Sequence, residues 1–567
     1  MRITMKEFAE VAFHSGSVFT GTGQPIKGLA VLVNDGRISA LVPEELLGAY
    51  TGSNTQLVDL HGALLSPGFQ DSHIHPAGGG TELLQCNLSR TENAEEAVAT
   101  IAAYAAANPG VAWIQGAGWS MDHFAGGAPL ASLIDAVVPD RPVSLASRDH
   151  HSMWVNSTAL QAAGIDANTP DPADGRIERL EDYSPAGTLH EGAMGLIEEH
   201  APATTAELII AGLARAQEEL ISQGITGWQD AMVGAGIGIP DAKDAYFAMI
   251  NDGKLKVRVR GSLWWQRDQG LEQLDGLIAS RTEADALGLP ERFNLGTVKI
   301  MVDGIAENFT ASMIEPYRDK CGHQTNNNGL SFISAENLAA YVIALDAAGF
   351  QVHFHALGDA AVRDALDAVA AARAANGPSS NRHHLAHLQV VSEADTGRFT
   401  ELDAVANLQP LWACHEDQLD ELTLPFMPES AQDRQYPFGD LVACGARLAA
   451  GSDWPVSSAD PIAGAHIAVN RIAPEIQSVP LGGEKQCLDL SAIWAAYTSG
   501  TAYVNHREDI TGSIAPGYFA DFVVVTPNPF DGPVEKIHES RVVSTWIDGE
   551  CVYQASNVTA QQGFKKP

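Results

Sequence analysis

Apolar residues along this chain recur with two periods, and the period changes with position. Up to residue 63 they form short alternating or continuous runs, VAFHSGSVFTG, GLAVLVNDGRISALVP and TQLVDLHGALLS, divided by Gly, Asp and Asn. Alternation between turn residues predicts β-strands. ADFVVVT and SRVVSTWIDGECVY give the C-terminus the same texture. Neither end is long enough for a core of its own. Both are therefore expected to build one small composite β-sandwich, from residues 1–63 and 508–567, with a larger body inserted between them.

The middle alternates the two periods. Candidate strands are Leu64–His75, then 224–231, 256–265, 295–304, 350–359, 383–390, 404–413 and 446–456. Between them lie TAELIIAGLARAQEELISQG, ENLAAYVIALDAAG and DAAVRDALDAVAAARAANG. Their apolar residues fall three and four apart and stop at Gly, which predicts helices. This alternation predicts a parallel (β/α)8 barrel, the TIM-barrel architecture, over residues 64–507. An open doubly wound sheet is the alternative, but no Gly-x-Gly-x-x-Gly follows a strand. Residues 77–203 are too long for an ordinary connection and are expected to be an insertion after the first strand. They carry GWSMDHF and RDHHSMWVNSTAL, so part of the insertion is expected to be a lid or a wall of the active site.

Composition narrows the function class. The chain has 567 residues, 45% hydrophobic and 18% charged, an ordinary globular balance. Lys plus Arg is 34 against 70 Asp plus Glu, a formal charge of −36. Such a surface repels nucleic acid and anionic lipid, and neither is expected as a partner. No apolar stretch is long enough to span a bilayer, and the N-terminus lacks a continuous apolar segment of the signal-peptide kind. The 6 cysteines are scattered without Cys-x-x-Cys, which fits a reduced, cytoplasmic protein. A homodimer is the expected assembly.

Candidate chemistry starts at His73 and His75. Residues two apart on a strand face the same way, and paired imidazoles suit zinc and similar divalent metals. An apolar run leads into the pair, and Pro76 with Gly78, Gly79 and Gly80 closes it, as when a buried strand ends at a functional loop. Of the 19 histidines, those at other strand ends matter most. His353 and His355 lie in the fifth candidate strand and His387 in the sixth. Lys299 lies in the fourth, and Asp453 near the end of the eighth. Barrel active sites draw on several strand ends, so these can converge. His353 and His355 share a face, and either is a possible ligand. Asp303 falls on the Lys299 face if the strand runs that far, where it would orient a ligand; a turn-forming Asp-Gly is the alternative. His151, Trp154 and Asn156, with Trp119 in GWSMDHF, are candidates for substrate contact or for purely structural roles. His383 and His384 are expected to complete local hydrogen bonds, and Asp359 to cap a helix.

The elements PGFQDSHIHP, HSMWVNSTAL, VKIMVDG, HALGD, HLAHLQV, GSDWPVS and GSIAPGYFADFVVV stand here in one order over nearly the whole chain. In them the chain resembles the amidohydrolase superfamily, and more narrowly amidohydrolase family 3, which includes N-substituted formamide deformylases. The resemblance implies a metal-dependent hydrolase of C–N bonds in small amides. It implies that His73 and His75 bind one metal and that His355 and His387 bind a second. Lys299, N-carboxylated by CO2, would bridge them, and Asp453 would be ligand and general base. The ions expected are two Zn2+, with Mn2+ or Co2+ as alternatives. HALGD favours His355 as the ligand and leaves His353 behind it. The chemistry is coherent, because a free ammonium repels cations and lacks a lone pair, whereas a carbamate offers two anionic oxygens. A metal lowers the pKa of bound water from 15.7 toward about 7, so metal-bound hydroxide would attack the carbonyl with Asp453 as base and then acid. Lys299 as a plain amine in a one-metal site, and Asp453 as a helix cap before Pro455, are the alternatives at those positions. An aminoheterocycle deaminase and a non-catalytic regulatory protein are the alternative functions.

Overall fold

A computed structural model of the chain describes residues 8–234, 240–474, 476 and 478–556. At its centre is an 8-stranded, all-parallel sheet. Its strands are Phe69–Ile74, Ile225–Val233, Arg258–Trp264, Phe293–Met301, Gln351–Ala356, His384–His387, Val405–Leu408 and Arg447–Ala450. Helices Ala206–Ser222, Lys243–Asn251, Leu274–Asp285, Ala335–Ala347 and Asp359–Asn376 cover its outside. This is the TIM-like barrel that the alternating periods predict. Thr205 and Ser334 cap two of those helices, accepting from the N–H groups of Leu208 and Asn337. The seam between the first and eighth strands is closed by loop backbone. Asp453 N–H donates to His73 O (2.8 Å), and His75 N–H donates to Trp454 O (2.9 Å).

The barrel interior is polar over much of its depth. Gln229 donates to Thr297 Oγ1 and to Gln351 Oε1, both at 3.0 Å, and Arg260 Nε donates to Thr297 Oγ1 at 2.7 Å. Residues two apart climb one face of a strand. Thr297 therefore leads up to Lys299, and Gln351 leads up through His353 to His355.

The two chain ends share a sheet. Leu64–Pro67 pairs antiparallel with Phe522–Thr526, within the 6-stranded sheet that also holds Arg541–Ile547 and Glu550–Gln554. A 4-stranded sheet from the N-terminal strands accompanies it. Phe13 packs edge-on against Phe522 (5.2 Å) and Trp546 (5.0 Å). Leu64–His75 is thus not one barrel strand. The run breaks at Gly68, its first half belongs to the terminal sheet, and only Phe69–Ile74 enters the barrel. Buried Arg258 ties the two bodies together, donating from Nε to Asp521 at 2.6 Å and also contacting Asp548.

The glycine-rich stretch after His75 is a buried helix, Pro76–Glu82, rather than an open loop. A Cβ on Gly80 would lie 1.9 Å from Gly212 O, so the glycine permits close approach to the helix Ala206–Ser222. The long insertion is a folded unit. It holds a 6-stranded mixed sheet and a buried core that includes Trp119, Phe124, Leu145 and Trp154. No helix among the described residues is long and apolar enough to cross a membrane. The described cysteines are all unpaired.

Candidate active site

The first barrel strand ends in His73 and His75, whose rings stand 5.4 Å apart at 78°. Both Nε2 atoms meet the same oxygen, Asp453 Oδ1, at 3.1 Å from His73 and 3.0 Å from His75. Asp453 follows the eighth strand in a left-handed backbone conformation (φ 59°) and is not a helix cap. His387, at the end of the sixth strand, brings Nδ1 to 3.8 Å from Asp453 Oδ2. One ligand atom each from His73, His387 and Asp453 falls within a 4.8 Å cluster, all buried. The His387 ring stacks on Trp412 at 5.3 Å and 9°. His355, at the fifth strand end, lies 4.5 Å ring to ring from His387. Lys299 Nζ lies 3.4 Å from His73 Nε2.

Below them His353 takes the deeper position. Its Nε2 is 2.7 Å from His73 Nδ1, its Nδ1 is 3.4 Å from Ser262 Oγ, and its ring lies 4.1 Å from that of His384. It orients His73 from behind, as histidine ligands are commonly oriented. Asp303 is not a simple turn residue. Its buried carboxylate accepts from the backbone N–H groups of Ser312 (2.9 Å), Leu357 (3.1 Å) and Gly358 (2.9 Å). It thus pins the loop beyond His355, and its Oδ1 is 4.0 Å from His355 Nε2. His383 bridges Asp346 and the Val352 N–H, and His384 meets Asn407, both local structural roles. Gly358, not Asp359, caps the following helix; Asp359 accepts from the Ile314 N–H.

Burial sets the protonation of this cluster. It pushes His73 down to about 3, with Lys299 adding to it, and holds His355 and His387 well below the usual histidine range. These imidazoles are neutral and keep lone pairs. Burial pushes Lys299 down to about 7. Burial would raise Asp453, but contact with His73 and His75 outweighs it and keeps the carboxyl ionised. Asp71, two residues before His73, accepts from the N–H groups of His73 (3.0 Å) and Ser452 (3.1 Å) and is pushed up to about 7 by burial.

A cavity of about 100 Å³ opens on the cluster. His355, His387 and Asp453 form one part of its wall, and Trp119, His151, Trp412 and Tyr436 form another. Trp119 and His151 therefore line the cavity, although Trp119 is fully buried with Nε1 donating to Leu145 O (2.8 Å). Trp154 and Asn156 do not. Trp154 is fully buried, with Nε1 donating to Leu130 O and its ring against Phe124 at 5.1 Å. Asn156 caps the helix Ser157–Ala162. It accepts from the N–H groups of Val143 and Ala159 and donates to Val138 O and Arg141 O, so no side-chain donor remains for a substrate. Sequence reasoning missed Trp412, Asp71 and Glu191, the last of which accepts from His151 Nδ1 at 3.0 Å. Asp71 had a visible signal in its spacing to the histidine pair; Trp412 and Glu191 had none.

Comparison with known proteins fits this geometry. The family model described as the amidohydrolase family matches residues 56–553. The chain belongs to the amidohydrolase family. It is accordingly a hydrolase. Among its relatives, the putative amidohydrolase YtcJ of Bacillus subtilis (strain 168) is 30% identical over 96% of this chain and 99% of its own. Protein LONG AFTER FAR-RED 3 of Arabidopsis thaliana is 30% identical over 96% of this chain and 92% of its own. The N-substituted formamide deformylase of Arthrobacter pascens is 26% identical over 93% and 95%. An uncharacterized metal-dependent hydrolase from Pyrococcus horikoshii shares the fold, with a TM-score of 0.69 and 23% identity over 92% of this chain and 99% of its own.

Proposed function

We propose that this amidohydrolase cleaves the C–N bond of small amides, N-substituted formamides first among them, at a site that holds divalent metal. One observation carries the reading. Both ring nitrogens of His387 are buried without a hydrogen-bond partner among the described residues, and so is His75 Nδ1, around the shared oxygen of Asp453. An unpaired buried polar atom costs roughly 1–3 kcal/mol, so a cluster of them fits a cation better than a packed core. Neutral imidazoles and an ionised carboxylate are the donor set that zinc, manganese or cobalt takes. His73, His75, His355, His387 and Asp453 would hold the metal. Lys299, largely neutral above about 7, is suited to take up CO2 and supply a bridging carbamate for a second ion. Bound there, the metal would supply an acidified water and a Lewis acid for the amide carbonyl.

The chain's own groups do the rest. Asp453, a residue of the cavity wall, takes the proton of the attacking water. His353 and Asp303 hold His73 and the loop beyond His355. Trp412 offers a flat apolar wall to the amide substituent. The formamide preference rests on the deformylase relative.

The test is metal analysis of purified protein, then a screen of formamides, longer acyl amides, carbamates and aminoheterocycles with zinc, manganese or cobalt. The expected result is metal-dependent release of amine from formamides. Ammonia released only from aminoheterocycles would replace this reading with a deaminase.

A further inference from the structure

Glu191 takes no part in the reading above, yet it is buried against His151, a residue of the cavity wall. His151 comes from the insertion and opens on the cavity beside His355, the two rings 5.7 Å apart. Its Nδ1 faces Glu191 Oε2 at 3.0 Å. Glu191 Oε1 in turn accepts from Thr310 Oγ1 at 2.7 Å, from the loop after the Lys299 strand. The backbone is clamped as well. Glu191 N–H donates to His151 O (3.0 Å), and Asn308 Nδ2 donates to the same oxygen (3.1 Å). Glu191 holds φ 51° and ψ −128°, which a side chain rarely adopts; such strain collects at functional sites. Gly304 makes room for the arrangement, since a Cβ there would lie 2.1 Å from Thr310 Oγ1 and 2.7 Å from Glu191 Oε1. With Nδ1 bound to the Glu191 carboxylate, Nε2 is the ring nitrogen that His151, as part of the cavity wall, has left for a substrate.

We propose that His151, positioned by Glu191 and Thr310, donates the proton to the nitrogen that leaves the acyl carbon. The inference rests on the amide-hydrolysis reading and narrows Asp453 to the base half of the cycle. The balance is simple. Water oxygen bonds to the carbonyl carbon while Asp453 takes one of its protons. The C–N bond then breaks, its electron pair stays on nitrogen, and His151 Nε2–H supplies the proton that makes a neutral amine. Asp453 gives its proton to solvent and His151 regains one from solvent, so no oxidant or further reactant is needed. Glu191 touches no substrate and is a positioning residue: its carboxylate stabilises the imidazolium and fixes the ring direction.

The competing account is a structural pair that only fastens the insertion to the barrel. Leaving-group dependence separates the two in metal-loaded enzyme. His151→Asn is the sharpest variant, because its amide can still donate to Glu191 while the cavity-facing proton is lost. With N-alkyl amides its kcat is expected to fall roughly 10²–10⁴-fold. With nitrophenyl esters of the same acyl group, whose nitrophenolate leaves without a proton, the loss is expected to be below roughly 10-fold. Metal content and unfolding midpoint should match wild type, and Glu191→Gln should show the same selectivity more weakly, with partial recovery in Glu191→Asp. In the free protein, Glu191→Gln should also move or abolish the downfield imidazole N–H resonance assigned to His151. Equal losses for all leaving groups, or none, overturn the proposal alone. If His151→Asn fails to fold, Glu191→Gln decides on the same series. A wild type that cleaves no amide or ester overturns the amide reading and this proposal together.

Discussion

His73 and Asp453 are joined twice across the barrel seam. The Asp453 N–H donates to the His73 carbonyl at 2.8 Å, and the Asp453 carboxylate returns to His73 Nε2 at 3.1 Å. The first contact fixes where the loop after the eighth strand lies. The second places the carboxylate among the imidazoles. One residue thus closes the sheet and completes the site, so its side chain can be altered while its backbone stays.

That separation makes Asp453→Asn informative. Asparagine keeps the backbone bond and the shape but takes no proton near neutral pH. Turnover on one hydrolysed amide should fall by roughly two to four orders of magnitude, with folding and most bound metal retained. Near-normal turnover with metal present would remove Asp453 from the mechanism.

Loss of either imidazole of the first strand should cost metal before it costs fold. His73→Ala and His75→Ala remove groups at the mouth of the barrel, above the hydrogen-bonded layer of Gln229, Thr297 and Gln351. Metal content and activity should drop together while circular dichroism stays native. Normal metal content in either variant would remove that residue from the ligand set.

Lys299 gives a pH test with a definite sign. Burial depresses it from 10.5 to about 7 in the folded chain. Between those values the unfolded chain binds more protons than the folded one, so the stability of metal-free protein should rise with pH across that window. Lys299→Met should flatten this part of the profile, measured as the denaturant midpoint against pH. Lys299→Ala should be nearly inactive, and a small carboxylic acid that occupies the carbamate's place should partly restore it. Full activity of the variant without the acid would refute the bridging role.

Asn156→Ala should act on stability and leave KM unchanged. The variant loses a helix cap, worth roughly 1 kcal/mol, and strands the buried groups that Asn156 serves. A lower melting temperature with an unchanged KM is the expected result. A raised KM at unchanged stability would return Asn156 to the substrate.

Much of this was legible in the chain itself. The change from period two to period three-and-four located the barrel strands and helices, because burial on one face imposes that spacing wherever it occurs. His73 and His75 marked the site for the same reason: two residues apart on one strand must share a face. Asp453 and His355 were legible as strand-end candidates, and their roles only through motifs shared with a family. Other features carried no local mark. Leu64–Pro67 and Phe69–Ile74 are both buried strands, and nothing in their apolar pattern says that the first pairs with Phe522–Thr526 while the second enters the barrel. Gly78–Gly80 reads as a loop until Gly80 is seen against Gly212, more than a hundred positions later. Trp154 and Asn156 have side chains suited to a substrate, and only the path of the insertion turns them inward. Glu191 is 40 residues from His151 and becomes meaningful solely because two backbones bring them to 3.0 Å. Sequence alone determined which segments extend, which coil, and which strand ends carry nitrogen and oxygen ligands. Only the tertiary structure decided which of those groups meet, because a period reports a residue's own burial, whereas a contact depends on the path of a second, distant segment.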